Sequence, residues 1–195
     1  MASTETPDGV VAILPMPADL AAPFQLNLQT PPLVLALDRV QDPGNLGTLL
    51  RTALAAGVDH VWLAGGADPW QPKVLRASAG AALQLELRRA TSLNAGLELA
   101  HGAGVQVFAA VQKGGQPYWE LNWQLPSLLL LGNEGSGLAP ELGQRAHLIT
   151  VPHGEEVESL NVAVAAGLML LERNRQIQVA IKASSGPRQG RIITS

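Results

Sequence analysis

Apolar runs alternate with helical stretches from residue 33 to residue 175 of the chain. Segments in which apolar residues follow one another almost without interruption predict buried β-strands; they are residues 33–37, 61–64, 105–110, 128–131 and 148–151. Stretches with apolar residues three or four positions apart predict helices; they cover residues 46–56, 73–79, 93–101, 139–146 and 161–175. This alternation is typical of a parallel sheet flanked by helices on both faces, so the sequence predicts an α/β fold.

The two ends of the chain differ in composition from this middle part. Six of the 14 prolines precede Leu33, which predicts an extended linker over residues 1–32 with one short apolar strand at residues 10–14. Residues 183–195, with Gly186-Pro187 near their start, predict a flexible tail. We therefore expect one globular domain over residues 33–182.

Composition narrows the class of protein. With 47% hydrophobic and 15% charged residues, the 195-residue chain is typical of a compact soluble protein. It has no cysteine, which excludes disulfides and thiolate metal ligands, and we expect no metal. Without a signal peptide or an apolar run of roughly 20 residues, we expect a cytoplasmic protein that does not bind membranes. The net charge of −3 argues against a broadly basic nucleic-acid binder but allows a local basic patch.

The most informative segment is the glycine loop, residues 132–137 (Gly-Asn-Glu-Gly-Ser-Gly), which follows four consecutive leucines. A loop at the carboxyl end of a buried parallel strand is the usual ligand site of an α/β sheet, and we expect its N–H groups to be bare. It lacks the Lys-Ser/Thr pair of a P-loop and the glycine spacing of a dinucleotide site. Its carboxylate, Glu134, suits a ligand with donor groups or a positive centre; the alternative is an ordinary turn with a solvated Glu134.

A second candidate cluster lies at residues 38–53. The sequence Asp-Pro-Gly-Asn at residues 42–45 favours a turn, and Asn45 can cap the helix that follows. Gly47 costs about 1 kcal/mol in a helix relative to alanine, and it stands one turn before Arg51, so its missing side chain is expected to clear space beside the guanidinium. Two interpretations of Arg51 stay open: an anion clamp, or a surface side chain whose stem covers apolar neighbours.

The third cluster lies at residues 151–161. Ser159 or Asn161 is expected to cap the next helix. Because the residues that follow are apolar almost all round, that helix must be covered on every side, which in a chain this short suggests a subunit interface as well as a core. His153 is a single histidine without an evident partner, and we expect a structural role for it.

Taken in order, these clusters resemble the three motifs of the SpoU-type (TrmH-like) RNA ribose 2'-O-methyltransferases of the SPOUT superfamily. The matching segments are Asp42-Pro43-x-Asn45-x-Gly47-x-x-x-Arg51-Thr52-Ala53, Leu131-Gly132-Asn133-Glu134-Gly135-x-Gly137-Leu138, and Val151-Pro152 through Ser159-Leu160-Asn161-Val162. Arg76-x-Ser78-x-Gly80 matches a further family segment. The resemblance spans residues 33–173, most of the chain.

The resemblance implies a fold, a cofactor and a reaction. The fold is a parallel sheet whose C-terminal part forms a deep trefoil knot, an exception to the rule against knots. The protein is expected to be a homodimer with composite active sites that binds S-adenosylmethionine in the knot and methylates a ribose 2'-hydroxyl of tRNA or rRNA. The expected cofactor-binding residues are Gly132, Val151, Leu160, Ala109, Ala110 and Val111. The expected catalytic residues are Asn45, Arg51, Glu134, Ser159 and Asn161.

Two features depart from the family pattern. Relatives usually carry an apolar residue at the position of His153. Many relatives have a separate N-terminal RNA-binding domain, whereas residues 9–13 resemble only the segment that joins such a domain to the catalytic one. Residues 1–32 are therefore expected to be a junction to, or a remnant of, that domain.

Two other classes of protein remain as alternatives. A non-catalytic RNA-binding module could share the fold and the dimer. A nucleotide-dependent oxidoreductase could share the α/β sheet, but the one candidate glycine pair, Gly102 and Gly104, precedes a predicted strand instead of following one. Within the resemblance, Arg51 fits better as a clamp on phosphate and alkoxide than as a general base, because a guanidinium is effectively always protonated.

Overall fold

The computed structural model describes residues 22–184 together with residues 13 and 15. Over this part the chain forms one seven-stranded sheet in which every pair of neighbouring strands is parallel. The strands are β1 (Leu33–Asp38), β2 (His60–Ala64), β3 (Glu86–Ala90), β4 (Gln106–Ala110), β5 (Gln116–Pro117), β6 (Ser127–Leu131) and β7 (His147–Thr150). The helices are α1 (Pro43–Ala56), α2 (Pro72–Ala77), α3 (Asn94–Gly102), α4 (Pro140–Gly143) and α5 (Val162–Ser184), with short 3-10 helices at Ala81–Leu83 and Tyr118–Glu120.

Two apolar layers cover the two faces of the sheet. Side chains alternate between faces along a strand, so Leu33, Leu35 and Leu37 of β1 join one layer while Val34 and Ala36 join the other. Helices α1 and α5 cover the first face, and α3 covers the second. Because both faces are buried, the central strands are apolar at nearly every position, as the sequence predicts.

The strand order, β3-β2-β1-β6-β4-β7-β5, places late strands between early ones. Strand β6 lies between β1 and β4, and β7 lies between β4 and β5. Since all these strands run in the same direction, their carboxyl ends meet at one edge of the sheet. The segments that leave β1, β4, β6 and β7 therefore lie side by side there, which is where α/β sheets bind ligands.

The predicted parallel sheet flanked by helices is confirmed, as are the five predicted strands. Strands β3 and β5 were not predicted. In β3 only Leu87 is buried, and β5 has two residues, because both strands form edges of the sheet where one side lacks a neighbour. Helix α4 is shorter than predicted and α5 extends to Ser184. The predicted strand at residues 10–14, apart from residue 13, and most of the tail at 183–195 lie outside the described residues.

None of the described helices is long and apolar enough to cross a membrane.

Candidate active site

A cavity of about 610 Å³ opens at the carboxyl ends of β4, β6 and β7. Its wall combines residues from all three sequence clusters with the segment that follows β4. The predicted site residues that line it are Asn45, Ala110, Val111, Gly132, Glu134, Val151, Ser159, Leu160 and Asn161. Residues separated by more than 100 positions are thus brought together by the order of the strands.

Two predicted site residues do not line this cavity. Ala109 is fully buried in the apolar layer on the α3 side of the sheet, because it alternates with its neighbours along β4. Arg51 lies exposed on α1, and no hydrogen bond or salt bridge joins it to another residue within the described ranges. The structure therefore leaves Arg51 apart from the other predicted catalytic residues of the same chain.

The glycine loop is closed on itself. The N–H and carbonyl groups of Asn133 and Gly137 exchange hydrogen bonds of 3.0 and 2.9 Å. The side-chain oxygen of Asn133 accepts from the N–H groups of Gly135 and Ser136 at 3.0 and 2.8 Å. The expectation that these N–H groups would be bare is therefore wrong, since Asn133 occupies them. A loop in which most N–H donors are already used is a poor site for a phosphate group.

Gly132 is required by this closure. An ideal Cβ at Gly132 would lie 2.4 Å from the backbone carbon of Gly137 and from the nitrogen of Leu138, a separation that no side chain can accept. The glycine therefore allows the end of β6 to touch the end of its own loop. This close contact shapes one side of the cavity that Gly132 lines.

A chain of side-chain hydrogen bonds connects the three motifs. The Nδ2 atom of Asn45 donates to Oε1 of Glu134 at 3.1 Å, and Oδ1 of Asn45 accepts from Nδ2 of Asn161 at 2.9 Å. At the far end, Oδ1 of Asn161 accepts from the N–H groups of Ala163 and Val164 and so caps α5. The Asn161 cap was one of the two options that the sequence left open for this helix.

Glu134, at the other end of this series of hydrogen bonds, is held as a carboxylate. Its oxygens accept from the N–H groups of Gln41 and Asp42 at 3.2 and 3.3 Å, in addition to Asn45. Partial burial raises the pKa of Glu134, but the bonds from Asn45, from its own N–H and from these two N–H groups lower it more, so the net pKa lies below its usual range. Glu134 is therefore charged at neutral pH and ties the glycine loop to the turn before α1.

Helix α1 differs from the sequence prediction at two residues. Its cap is Asp42, whose Oδ1 accepts from the Asn45 N–H at 2.7 Å, and not Asn45. This leaves the Asn45 side chain free for Glu134 and Asn161. Gly47 does not clear space for Arg51, because an ideal Cβ at Gly47 would lie 2.4 Å from Cβ of Ala77 in α2. The glycine lets α1 and α2 pack directly against each other.

Two residues of the site were missed at the level of sequence. Asn133 organises the glycine loop, and Asp38, which is 5% exposed, accepts from the Ala139 N–H at 3.1 Å and from the Arg39 guanidinium. The signal for Asn133 was available, because an asparagine beside glycines favours turns in which its side chain accepts backbone N–H groups. Asp38 gave no such signal, since the Ala139 N–H that donates to it is 101 residues away.

Comparison with known proteins relates this geometry to a family. The family model described as SpoU rRNA Methylase matches residues 32–171. An uncharacterized tRNA/rRNA methyltransferase of Synechocystis is 48% identical over 181 residues, which are 90% of this chain and 64% of that protein. The 23S rRNA (guanosine(2553)-2'-O)-methyltransferase RlmP of Bacillus subtilis is 38% identical over 86% of this chain and 65% of its own length.

Solved structures agree with these relatives. The crystal structure of an AdoMet-bound rRNA methyltransferase from Sinorhizobium meliloti has a TM-score of 0.73 and 38% identity, covering 78% of this chain and 59% of that one. The chain thus spans slightly less than two thirds of the length of the two curated relatives described above. The match to the family model nevertheless covers most of the chain, including all three motifs, and the chain belongs to the SpoU rRNA Methylase family.

Proposed function

We propose that the protein is an S-adenosylmethionine-dependent RNA methyltransferase that acts on a ribose 2'-hydroxyl of rRNA or tRNA. The observation that carries this proposal is the convergence of three distant motifs on one cavity, with Glu134, Asn45 and Asn161 joined by hydrogen bonds. The named activities of relatives support it: RlmP is a 23S rRNA 2'-O-methyltransferase, and the Sinorhizobium meliloti enzyme was crystallised with AdoMet.

The cavity residues fit this cofactor. A volume of about 610 Å³ lies within the common range for sites of small molecules and cofactors. Leu131, Leu138, Leu160 and Met169 give the cavity an apolar wall suited to a base, while Glu134 supplies negative charge. Four N–H groups of the glycine loop, those of Asn133, Gly135, Ser136 and Gly137, already have acceptors, which disfavours a nucleotide phosphate there. Gly132, Val151 and Leu160 are proposed to hold the cofactor, with Ala110 and Val111 beside them.

The polar residues would position the RNA ribose. When bound, S-adenosylmethionine supplies an activated methyl group, so most of the remaining rate enhancement can come from orientation and from stabilising the developing alkoxide. Asn45 and Asn161 each keep a second amide hydrogen for a ribose oxygen after their mutual bonds are made. The Ser159 hydroxyl lines the same cavity and is the third group of this set.

We also propose a homodimer in which Arg51 serves the cavity of the partner subunit. Arg51 is exposed on α1, away from the cavity of its own chain. Next to α1, α5 presents the α5 apolar face, made of Val164, Leu168 and Leu171, which are 54%, 42% and 48% exposed. A second subunit on this face would bury it and bring a guanidinium to the phosphate beside the target ribose. Placement of β6 and β7 between earlier strands supports a knotted C-terminal part.

Binding and product mapping test the proposal. We expect calorimetry to detect S-adenosylmethionine binding and no NADH binding. We also expect cells lacking the gene to lose at least one 2'-O-methyl group from rRNA or tRNA. A folded protein without affinity for S-adenosylmethionine would contradict the enzyme and favour an RNA-binding module. RNA whose methylation is unchanged in such cells would contradict the proposed substrate class.

The role of Arg51 has its own test. Arg51→Ala should reduce single-turnover methyl transfer by at least about 10²-fold while cofactor affinity stays nearly unchanged, because the guanidinium acts on RNA and not on the cofactor. Arg51→Lys should also be impaired, since it keeps the charge but loses the bidentate fork. Arg145→Ala is the matched control, because that guanidinium is 3.9 Å from Glu98 on the other side of the sheet. Wild-type rates for Arg51→Ala would refute this assignment.

A further inference from the structure

His153 occupies a position in the candidate site that the proposed reaction does not explain. It lines the cavity together with Val151, Leu160 and Glu134, although it belongs to none of the catalytic or cofactor-binding sets above. Its ring is half-buried, and its Nδ1 atom lies 2.8 Å from the carbonyl oxygen of Val151. The imidazole is therefore fixed by the backbone at the edge of the cavity.

This contact determines which ring nitrogen carries the hydrogen. A carbonyl oxygen can only accept, so Nδ1 must donate and carry the hydrogen in the neutral ring. The other nitrogen, Nε2, is then an acceptor. It makes no hydrogen bond with any other residue of the part of the chain that the structure describes.

Most other polar side chains of the cavity already have partners. Thr150 donates to the carbonyl oxygen of Gln112, and Asn133 is used by the glycine loop. The Glu134 oxygens accept from Asn45, Gln41 and Asp42. A ligand with an N–H or O–H group therefore finds in Nε2 of His153 an acceptor whose orientation is already set and whose capacity is unused.

We propose that Nε2 of His153 accepts a hydrogen bond from a donor group of the bound cofactor and so raises the affinity for it. This inference rests on the proposed function, because S-adenosylmethionine provides such donors in its adenine amino group, ribose hydroxyls and ammonium group. His153 is a positioning residue for the cofactor and takes no part in methyl transfer.

The measurement is calorimetry of the full chain with two ligands at a single, mildly alkaline pH. S-adenosylhomocysteine shares every donor with S-adenosylmethionine but lacks the methyl group and the positive charge. Because the proposed contact is made to a donor that both ligands carry, we expect its loss to weaken both ligands by a similar factor. The ammonium and carboxylate groups are common to both ligands and cancel in this comparison.

Three variants separate the contact from general effects. His153→Met removes the acceptor and should weaken both ligands about two- to tenfold at about pH 8, the usual effect of one lost hydrogen bond. His153→Gln keeps an acceptor oxygen, so it should retain most of the affinity for both ligands. His101→Gln, at the exposed end of α3, is the control and should behave as wild type.

The outcomes distinguish this inference from the proposed function. If the wild-type chain does not bind S-adenosylmethionine at any pH, the proposed function fails. If wild type binds it and a folded His153→Met variant has the wild-type affinity for both ligands, the role of His153 is refuted.

Discussion

The amide groups of Asn45 and Asn161 have only one consistent orientation. Because Oδ1 of Asn161 caps α5, its Nδ2 must face Asn45, and the Asn45 amide must then turn its own Nδ2 towards Glu134. Each donor in this series of hydrogen bonds thus meets an acceptor. An aspartate at position 45 would have no hydrogen to offer Glu134, which places two carboxylates in contact.

We therefore expect Asn45→Asp to be more destabilising than Asn45→Ala. The alanine variant loses hydrogen bonds, whereas the aspartate variant adds repulsion with Glu134 and should be at least about 0.5 kcal/mol less stable at neutral pH. Urea unfolding of both variants measures the difference in free energy. Salt should reduce this difference because partly exposed charges are screened. Equal stability of the two variants at low salt would contradict the hydrogen-bond chain.

Glu134 gives a prediction about pH. Its folded-state pKa is lowered, so its contribution to stability is present above the pKa of an unfolded glutamate and is lost as pH falls through the folded-state value. Glu134→Gln should lower the free energy of unfolding at neutral pH by roughly 1 kcal/mol or less, given the exposure of the group. The free energies of unfolding of wild type and variant should become similar at acid pH, where Glu134 of the wild type is protonated. Denaturant unfolding at both pH values checks this, and a gap that widens towards acid would refute it.

At the scale of elements, a glycine can be required because a neighbouring helix packs closely against it. Gly47 lies inside α1, where alanine would be favoured by about 1 kcal/mol on helix propensity alone. Its Cβ would overlap Ala77 and approach the Val74 carbonyl oxygen at 2.9 Å. We expect Gly47→Ala to destabilise the protein by roughly 1–3 kcal/mol, because α2 would have to move away from α1.

Gly102 in α3 is the matched control for this substitution. A Cβ at Gly102 meets no described atom within 4 Å, so Gly102→Ala should leave stability unchanged or raise it by a few tenths of a kcal/mol, up to about 1 kcal/mol. Gly47→Ala should therefore lower the midpoint of thermal unfolding, whereas Gly102→Ala should not lower it. If Gly47→Ala proved as stable as Gly102→Ala, packing of α1 against α2 would not explain the glycine.

For the whole molecule, the α5 apolar face predicts a homodimer. Val164, Leu168 and Leu171 recur at helical spacing on one side of α5, and Leu54 of the adjacent α1 is also exposed. Burial of this face would remove a continuous apolar surface from water. We expect sedimentation velocity to find a dimer at micromolar concentration, and Leu168→Glu to give a folded monomer that has lost methyl transfer.

The control for this prediction uses a leucine on the other face of the sheet. Leu99 of α3 is exposed to a similar degree, and Leu99→Glu should leave the dimer intact. A wild-type chain that stays monomeric, or a Leu168→Glu variant that stays dimeric, would show that another surface, or none, joins subunits.

Local patterns in the sequence determined the central elements and the composition of the site. The central strands are buried on both faces, so they had to be apolar throughout, and that pattern is visible without a structure. The motifs around Asn45, Glu134 and Asn161 likewise stand out, because turn and cap residues interrupt apolar runs at recognisable spacings. Edge strand β3 gave no such pattern, since only Leu87 among its five residues is buried.

Only the tertiary structure decided how these residues are used. Asn45 is free to contact Glu134 and Asn161 because Asp42 caps α1, and the partners lie 89 and 116 positions away. Gly47 allows α2 to pack against α1, and Arg51 lies outside the cavity, although both residues lie on one helix within one motif. Spacing along a helix determines which residues share a side, but the neighbour that each side meets depends on the order of strands in the sheet. That order places β6 and β7 between earlier strands, and a pattern of local hydrophobicity carries no information about it.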